Sequence, residues 1–520
     1  MKIVLATSNK HKVQEINDIV AGLGIEFILP PEGFDPVEDG ETFEANSRIK
    51  ALAAWEISKN WSLADDSGLC IKALGGKPGI HSARYAETPQ KRIERVLNEM
   101  QGIKERDAEF VCAMTLVNPE GKVVFSCKGI CEGSITEKPA GVNGFGYDPI
   151  FYFPPCQKTS AEMTLEEKIG QMIIMSYRNP TVDSTLENTL KTVKPGGFIL
   201  FKENITTYEN TINFIQTVKK SNDIPLWIGI DQEGGNVQRL KALEDHPVSD
   251  IPYMNAIGQT NNIDYARQIG KVMAEELKVF GINMDFAPDI DIWTNPDNTV
   301  IGKRSFGSNP TLVSQMGIAL GDTLLQHQIV PVYKHFPGHG NTAEDSHYAL
   351  PVVTKTLDEL LSSDLIPFQD AIAHDVPIIM VGHLAIPNIT NDNTPASLSK
   401  VMIHDILKEQ LGYKGLVVTD ALDMGALTQN YTEEEIYTMA INAGVDILLM
   451  PQESKNCVKI VADAVKSGKI SESQIDESVR KILKLKYDTI ADTYNQYAPI
   501  DILNSAEHQS IITQIKESQP

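Results

Sequence analysis

The feature that most limits what this chain can fold into is a rhythm that starts near residue 197 and runs almost to the end. Short apolar runs, each closing on polar or charged residues, alternate with amphipathic helical stretches. The runs are Gly197–Phe201, Leu226–Asp231, Met284–Asp291, Val330–His335, Ile378–His383, Leu416–Asp420 and Ile447–Met450. Near-continuous apolar strands separated by helices require a parallel sheet covered on both faces. Seven such units within about 330 residues suit a (β/α)8-type TIM barrel better than an open sheet. In a barrel the C-terminal strand ends line the active site. Asp231, Asp289, Lys334, His335, His383 and Asp420 are therefore expected to converge on one mouth.

The first part of the chain has a different texture. Lys2–Ala6, Phe110–Asn118 and Val123–Ile130 read as strands, and Lys10–Leu23 and Glu44–Lys59 as helices by their apolar spacing. The whole is α/β, and at 520 residues it exceeds what one core usually supports. The expected division is a mixed α/β domain over 1–162, a barrel over 163–490 and a polar tail over 491–520, the tail forming a loose helix against the barrel. A formal charge of −23 argues against a nucleic-acid partner, which needs a basic footprint. The six cysteines are scattered with no Cys-x-x-Cys pair, which suits reduced thiols. The N-terminal apolar run is too short for a signal peptide, and no stretch approaches a membrane span. A cytoplasmic protein without a membrane partner is expected.

Two blocks of the second segment carry chemistry. In Val332-Tyr-Lys-His-Phe-Pro-Gly-His-Gly-Asn-Thr-Ala-Glu-Asp-Ser-His347 a strand runs into Lys334 and His335, and a turn opens a polar loop with Asp345 and His347. An Asp two residues from a His can orient the imidazole and raise its basicity for proton transfer, although an isolated Asp-x-His is as often a surface loop. In Lys414-Gly-Leu-Val-Val-Thr-Asp-Ala-Leu-Asp-Met-Gly425, Asp420 follows a buried strand, where a carboxylate is costly without a task or partner. A helix N-cap is the alternative reading for Asp420 or Asp423.

With Ile230-Asp-Gln-Glu-Gly-Gly235, Gly302-Lys-Arg-Ser-Phe-Gly307 and Val418-Thr-Asp-Ala-Leu422 in the same order, this segment resembles family 3 glycoside hydrolases, specifically the bacterial β-N-acetylglucosaminidases. The resemblance implies a retaining mechanism without a cofactor. Asp420 would be the nucleophile, and His347 the acid/base with Asp345 as its partner. Asp231, Arg304, Lys334 and His335 would hold the hydroxyls of N-acetylglucosamine. The implied substrates are muropeptides, in which N-acetylglucosamine is linked to muramic or anhydro-muramic acid; phosphate is an alternative acceptor to water. Larger relatives carry a further C-terminal domain, so here the catalytic groups are expected from the barrel alone.

The first segment resembles a second family, the pyrophosphatases of non-canonical purine nucleoside triphosphates. The matching strings are Ala6-Thr-Ser-Asn-Lys-His-Lys12, Ala64-Asp-Asp-Ser-Gly-Leu69, Gly76-Lys-Pro-Gly-Ile-His-Ser-Ala-Arg-Tyr85 and Gly144-Phe-Gly-Tyr-Asp-Pro149. The resemblance implies hydrolysis of inosine or xanthosine triphosphate to the monophosphate. Thr7, Asn9 and Lys12 would lie at a helix start that docks phosphates. Asp65 and Asp66 would grip Mg²⁺, with Asp66 as base beside Ser67. Phe145 and Asp148 would contact base and ribose. Two departures point to an impaired site. Ala45 stands where the family has a metal-binding Glu, and Glu44 lies about 100° away on the helix. Ile173 and Ile174 stand where a Ser-His-Arg string reads the purine, in what is expected to be the glycosidase's first helix. The chain thus reads as a fusion of the two families. It crosses between them inside Met163–Lys168, with the closing helix of the first domain lost and an apolar groove expected there, either packed on the barrel or poorly folded.

Overall fold

In the computed structural model the structure describes residues 2–7, 13, 16–17, 25–31, 33–140, 146–153, 158–159, 163–342 and 350–519. The chain divides into two compact units, Met1–Thr164 and Leu165–Pro520. The stretch read as the helix Lys10–Leu23 lies mostly outside the described residues.

The first unit is built on one mixed sheet. Its strands are β1 (Lys2–Leu5), β2 (Glu26–Ile28), β3 (Ser62–Ile71), β4 (Lys77–Pro78), β5 (Asp107–Val117), β6 (Val123–Ile135), β7 (Phe151–Phe153) and β8 (Lys158–Thr159). Their order is β2-β1-β3-β5-β6-β7-β8, with β4 paired to β3. β1 is parallel to β2 and β3, and the remaining pairs are antiparallel. The helix Phe43–Ser58 starts where the Thr42 side chain accepts a hydrogen bond from Ala45 N, and stops at Lys59 in the left-handed region. It buries Ala51 and Ala54 beside Val4, Ala64 and Val117. On β6, Val124, Phe125 and Ile130 are exposed.

The second unit is a barrel of eight parallel strands, one more than the sequence rhythm gave. They are β9 (Ile173–Ser176), β10 (Gly197–Leu200), β11 (Trp227–Ile230), β14 (Met284–Asp285), β15 (Val330–Phe336), β16 (Ile378–Val381), β17 (Leu416–Thr419) and β18 (Leu448–Leu449); the hairpin β12 (Gln232–Gly234) and β13 (Val237–Gln238) follows β11. The order is β17-β16-β15-β14-β11-β10-β9-β18, and a parallel bridge between Val418 and Ile447 joins the two ends. The extra strand is β9. Ile173 and Ile174 are fully buried strand residues of the barrel and not part of its first helix, which is Leu165–Gln171. The β-branched pair fits a pleated, enclosed position better than a helix surface. The run read as Met284–Asp291 is strand only over Met284–Asp285. Pro288 has no N–H to extend a ladder, and pairing resumes at a bridge between Asp289 and Lys334.

Helices cover the barrel, and their starts are written in the sequence. Asp183, Thr207, Asn309, Thr432 and Ser471 each cap the next helix by a side-chain hydrogen bond. The 491–520 tail contains the helix Ala506–Glu517, which is clasped to the barrel helix Ile263–Val279 through His508. Among the described residues no helix is long and apolar enough to cross a membrane.

Candidate active site

The tips of β11, β14, β15 and β17 bring the chemistry of the second unit together. After β11 the chain enters a tight hairpin in which Gly234 and Gly235 both take positive φ, at 99° and 56°. A side chain on Gly235 would meet the Tyr253 ring at 2.2 Å. The Glu-Gly-Gly string is thus a turn requirement, and its effect is to turn Glu233 inward. Glu233 is 3% exposed. Its carboxylate takes a two-pronged bond from Arg304, with Nε to Oε2 at 2.7 Å and Nη2 to Oε1 at 2.8 Å. Lys334 Nζ lies 2.5 Å from Oε1 and 3.1 Å from Asp231 Oδ1. Arg239 reaches Asp231 Oδ2 at 3.3 Å. The result is a lattice in which two buried cations and two carboxylates fix one another, the geometry that makes ion pairs strong.

These fields set protonation. Burial alone would raise the Glu233 carboxyl, but Arg304 and Lys334 outweigh it and hold it far below the ordinary range. Burial would lower the Lys334 ammonium, yet Glu233 and Asp231 keep it well above its usual value. Burial, with Arg304 nearby, pushes the His335 imidazole down to about 4. A neutral His335 donates from Nδ1 to Asp291 Oδ2 at 2.7 Å. That leaves Nε2 as an acceptor, suited to a hydroxyl donor. Asp291 also accepts from the backbone N–H of His335 and of His339, at 3.3 Å and 2.7 Å. It is the post that orients this wall.

Asp420 sits at the end of β17, half-buried, with Oδ1 accepting from Ala421 N at 2.8 Å. Burial would raise its carboxyl, but the neighbouring His383 and His335 and the Ala421 N–H leave it below the ordinary value. His383, fully buried, donates from Nε2 to Ala421 O at 2.9 Å and meets Ser397 Oγ through Nδ1 at 2.8 Å. It steadies the peptide that follows Asp420. Gly340, in the Pro-Gly-His-Gly turn, passes so close to Ile292 that a Cβ would lie 2.0 Å from the Ile292 carbonyl oxygen. That contact explains the glycine and seats the start of the following loop. Asp345 and His347 lie outside the described residues.

The structure therefore gathers Asp231, Arg304, Lys334, His335 and Asp420. The sequence reading gave no task to Glu233, Asp291 or His339. All three stand inside or beside strings that it quoted, so their signal was adjacency to a motif. Asp289, Asp291 and His335 place potential ligand atoms within 4.8 Å of one another. His335 Nδ1 is already bonded to Asp291, and the Arg304 guanidinium lies 3.6 Å from Asp289 Oδ2. Hydrogen bonds and a fixed cation thus occupy that donor set. Trp293 is half-buried and bonded from Nε1 to Asn295 O, whereas Trp227 is a core residue.

In the first unit the expected pair of metal-binding acids is not formed. Asp65 and Asp66 are neighbours on β3, and successive side chains on a strand point to opposite faces. Asp65 accepts from Ser67 on one face, at 3.1 Å. Asp66 is buried on the other, accepting from Asn46 at 3.2 Å, with Lys50 Nζ 3.6 Å from Oδ1. Burial pushes the Asp66 carboxyl up in spite of Lys50. Lys50 lies 3.6 Å from Glu38 as well, and Glu44 pairs with Lys128. With Ala45 at the position of the missing ligand, these residues do not fit the Mg²⁺ site that the resemblance implies. Thr7 follows β1, with its N–H on Leu5 O. Asp148 opens a short 3₁₀ turn, beside which Tyr147 is buried and bonded to Ser82 O. Asn9, Lys12 and Phe145 lie outside the described residues.

Comparison with known proteins agrees with the two-part reading. Residues 164–485 match the glycosyl hydrolase family 3 N terminal domain, and residues 3–176 match the Ham1 family. Beta-hexosaminidase A of Pseudoalteromonas piscicida is 31% identical over 365 residues, covering 62% of this chain and 61% of its own length. The chain thus spans about three-fifths of that relative. The dITP/XTP pyrophosphatase of a Synechocystis species is 42% identical over 166 residues, covering 32% of this chain and 86% of its own length. A family 3 β-N-acetylglucosaminidase structure from a Paenibacillus species superposes with a TM-score of 0.64 at 32% identity, covering 69% of each chain.

Proposed function

The chain belongs to glycosyl hydrolase family 3 and carries a Ham1-family domain ahead of it, and on that premise we propose that the barrel is a retaining β-N-acetylglucosaminidase. The observation that carries this reading is the buried lattice of Arg304, Lys334, Glu233 and Asp231 beside the ionised Asp420. Lys334, Asp231, Arg304 and His335 offer donors and acceptors in fixed directions, as recognition of several sugar hydroxyls demands. Asp420, one oxygen held by Ala421 N–H, has the other for attack on the anomeric carbon.

In the proposed cycle the Asp420 carboxylate forms a bond to the anomeric carbon as the glycosidic C–O bond breaks. The His347 imidazolium, oriented by Asp345, gives its proton to the leaving oxygen. Neutral His347 then takes a proton from water, whose oxygen displaces Asp420. The proposed substrates are N-acetylglucosamine-terminated peptidoglycan fragments in a cytoplasmic setting. The first unit, lacking a fitting metal site, is proposed as an impaired pyrophosphatase. The test is release of nitrophenol from para-nitrophenyl N-acetyl-β-glucosaminide by the purified chain, with and without phosphate. His347→Ala should abolish release. Release that persists in that variant would remove the His–Asp pair from the mechanism.

A further inference from the structure

Beneath the mouth lies a group that the mechanism above does not use. Asp285, at the end of β14, has no solvent exposure. Its Oδ1 accepts from Gln232 N at 3.0 Å, inside the Asp231–Gln232–Glu233 string. Among the described residues its Oδ2 has no hydrogen-bond partner, and no ion pair reaches either oxygen. The charges that face it are Asp231 and Glu233 from the β11–β12 tip and Lys334 from β15.

The charge balance of the surroundings sharpens the point. Lys334, Arg304 and the rim residue Arg239 pair with Asp231, Glu233 and Asp289, and His335 bonds Asp291. Among the described residues no cation is bonded to Asp285. A fully buried carboxylate with one backbone N–H and two anionic neighbours is far costlier than a neutral acid in the same place.

Resting on the glycosidase reading, we infer that Asp285 is a positioning residue that works as a neutral acid, holding the strand tip of Asp231 and Glu233 through the Gln232 amide. Burial, with Asp231 and Glu233 adding to it, pushes its carboxyl up to about 8, in keeping with that state. Ionisation would set a buried anion against Asp231 and Glu233, loosening the grip on the sugar more than the chemical step. A raised native value also has a fixed sign in stability. Between the ordinary carboxylate range and about pH 8 the unfolded chain is ionised here and the folded chain is not. The folded state therefore loses stability as pH rises through that window and levels off above it.

The test compares the full-length protein with D285N and D285L. Both replacements cannot ionise, and D285N keeps the acceptor for Gln232 N. The melting temperature of D285N relative to the parent should rise by about 3 °C or more between pH 5 and pH 8 and then stay level. With para-nitrophenyl N-acetyl-β-glucosaminide, the parent's KM should climb severalfold above pH 8 with little change in kcat, and D285N should lack that climb. D285L should raise KM at every pH. A constant melting difference across the window, with the KM limb intact in D285N, overturns the inference. If the melting difference widens but no glycoside is cleaved, the neutral acid stands and the glycosidase reading falls.

Discussion

Glu233 is the residue on which the proposed sugar-binding wall turns. It is nearly without solvent, and it holds Arg304 and Lys334 at the spacing that lets Lys334 also reach Asp231. Glu233→Gln keeps the volume but sets an amide N–H₂ against a cation and leaves two buried positive charges under-countered. The variant should lose about 3 kcal/mol of stability. Its kcat/KM should fall on the order of 100-fold as the hydroxyl-binding groups lose register. Thermal unfolding and steady-state kinetics measure both; near-parental kinetics would mean that the lattice is structural only. Asp231, Arg304, Lys334, His335 and Asp420 were legible in the sequence because each ends a strand or sits in a quoted string. Glu233 and Asp291 were not. Their tasks are set by which cation or imidazole faces them across the barrel, over separations of 71 and 44 residues. Asp65 and Asp66 show the reverse error, since adjacency in sequence suggested a shared ligand site and the pleat of β3 sends them to opposite faces.

At the scale of elements, strands with apolar runs and helices with caps were readable, and the weak points were transitions. β9 escaped notice because Leu165–Met175 is one apolar-rich stretch, and only enclosure by β10 and β18 makes its second half a strand. The C-terminal helix was read as loose, but His508 locks it. The ring is buried between Glu275 Oε2 at 2.9 Å and Glu276 Oε1 at 3.2 Å, and Glu276 also accepts from Ser249 N and Asn504 N. Lys271 and Glu507 complete the charged surroundings. Burial would lower the imidazole, but Glu276 and Glu275 outweigh it and hold His508 above its ordinary value. The stability from this clasp is therefore full below about pH 6.5 and is lost as pH rises through the raised native value. His508→Asn should cost on the order of 2 kcal/mol at pH 6, discounted for the half-buried Glu275, and much less at pH 9. Melting curves of both proteins at the two pH values check this; an equal loss at both would mean that the ring acts by packing alone.

At the scale of the whole molecule, the joint was the clearest feature of the sequence and the structure places it between Thr164 and Leu165. The two family matches overlap across residues 164–176, and the structure gives the shared segment to the barrel as its first helix and first strand. The barrel takes its first strand from residues that the Ham1 match also covers. In the first unit Lys50 stands beside Asp66. Ala45→Glu should raise Mg²⁺-dependent inosine triphosphate hydrolysis at most a few-fold, because restoring one carboxylate leaves Asp65 on the far face of the sheet. A gain on the order of 100-fold, about 2.7 kcal/mol in the barrier, would show that the ligand alone was lacking.

The central claim is that the barrel does the chemistry and that Asp420 is its nucleophile. The most direct test is hydrolysis of para-nitrophenyl N-acetyl-β-glucosaminide by the parent and by Asp420→Ala, with inosine triphosphate hydrolysis followed on the same preparations. The account predicts release by the parent, a fall on the order of 1,000-fold or more in the variant, an unchanged melting temperature within a few degrees, and no change in whatever nucleotide hydrolysis is present. Undiminished release from a folded Asp420→Ala protein, or loss of both activities together, would contradict it.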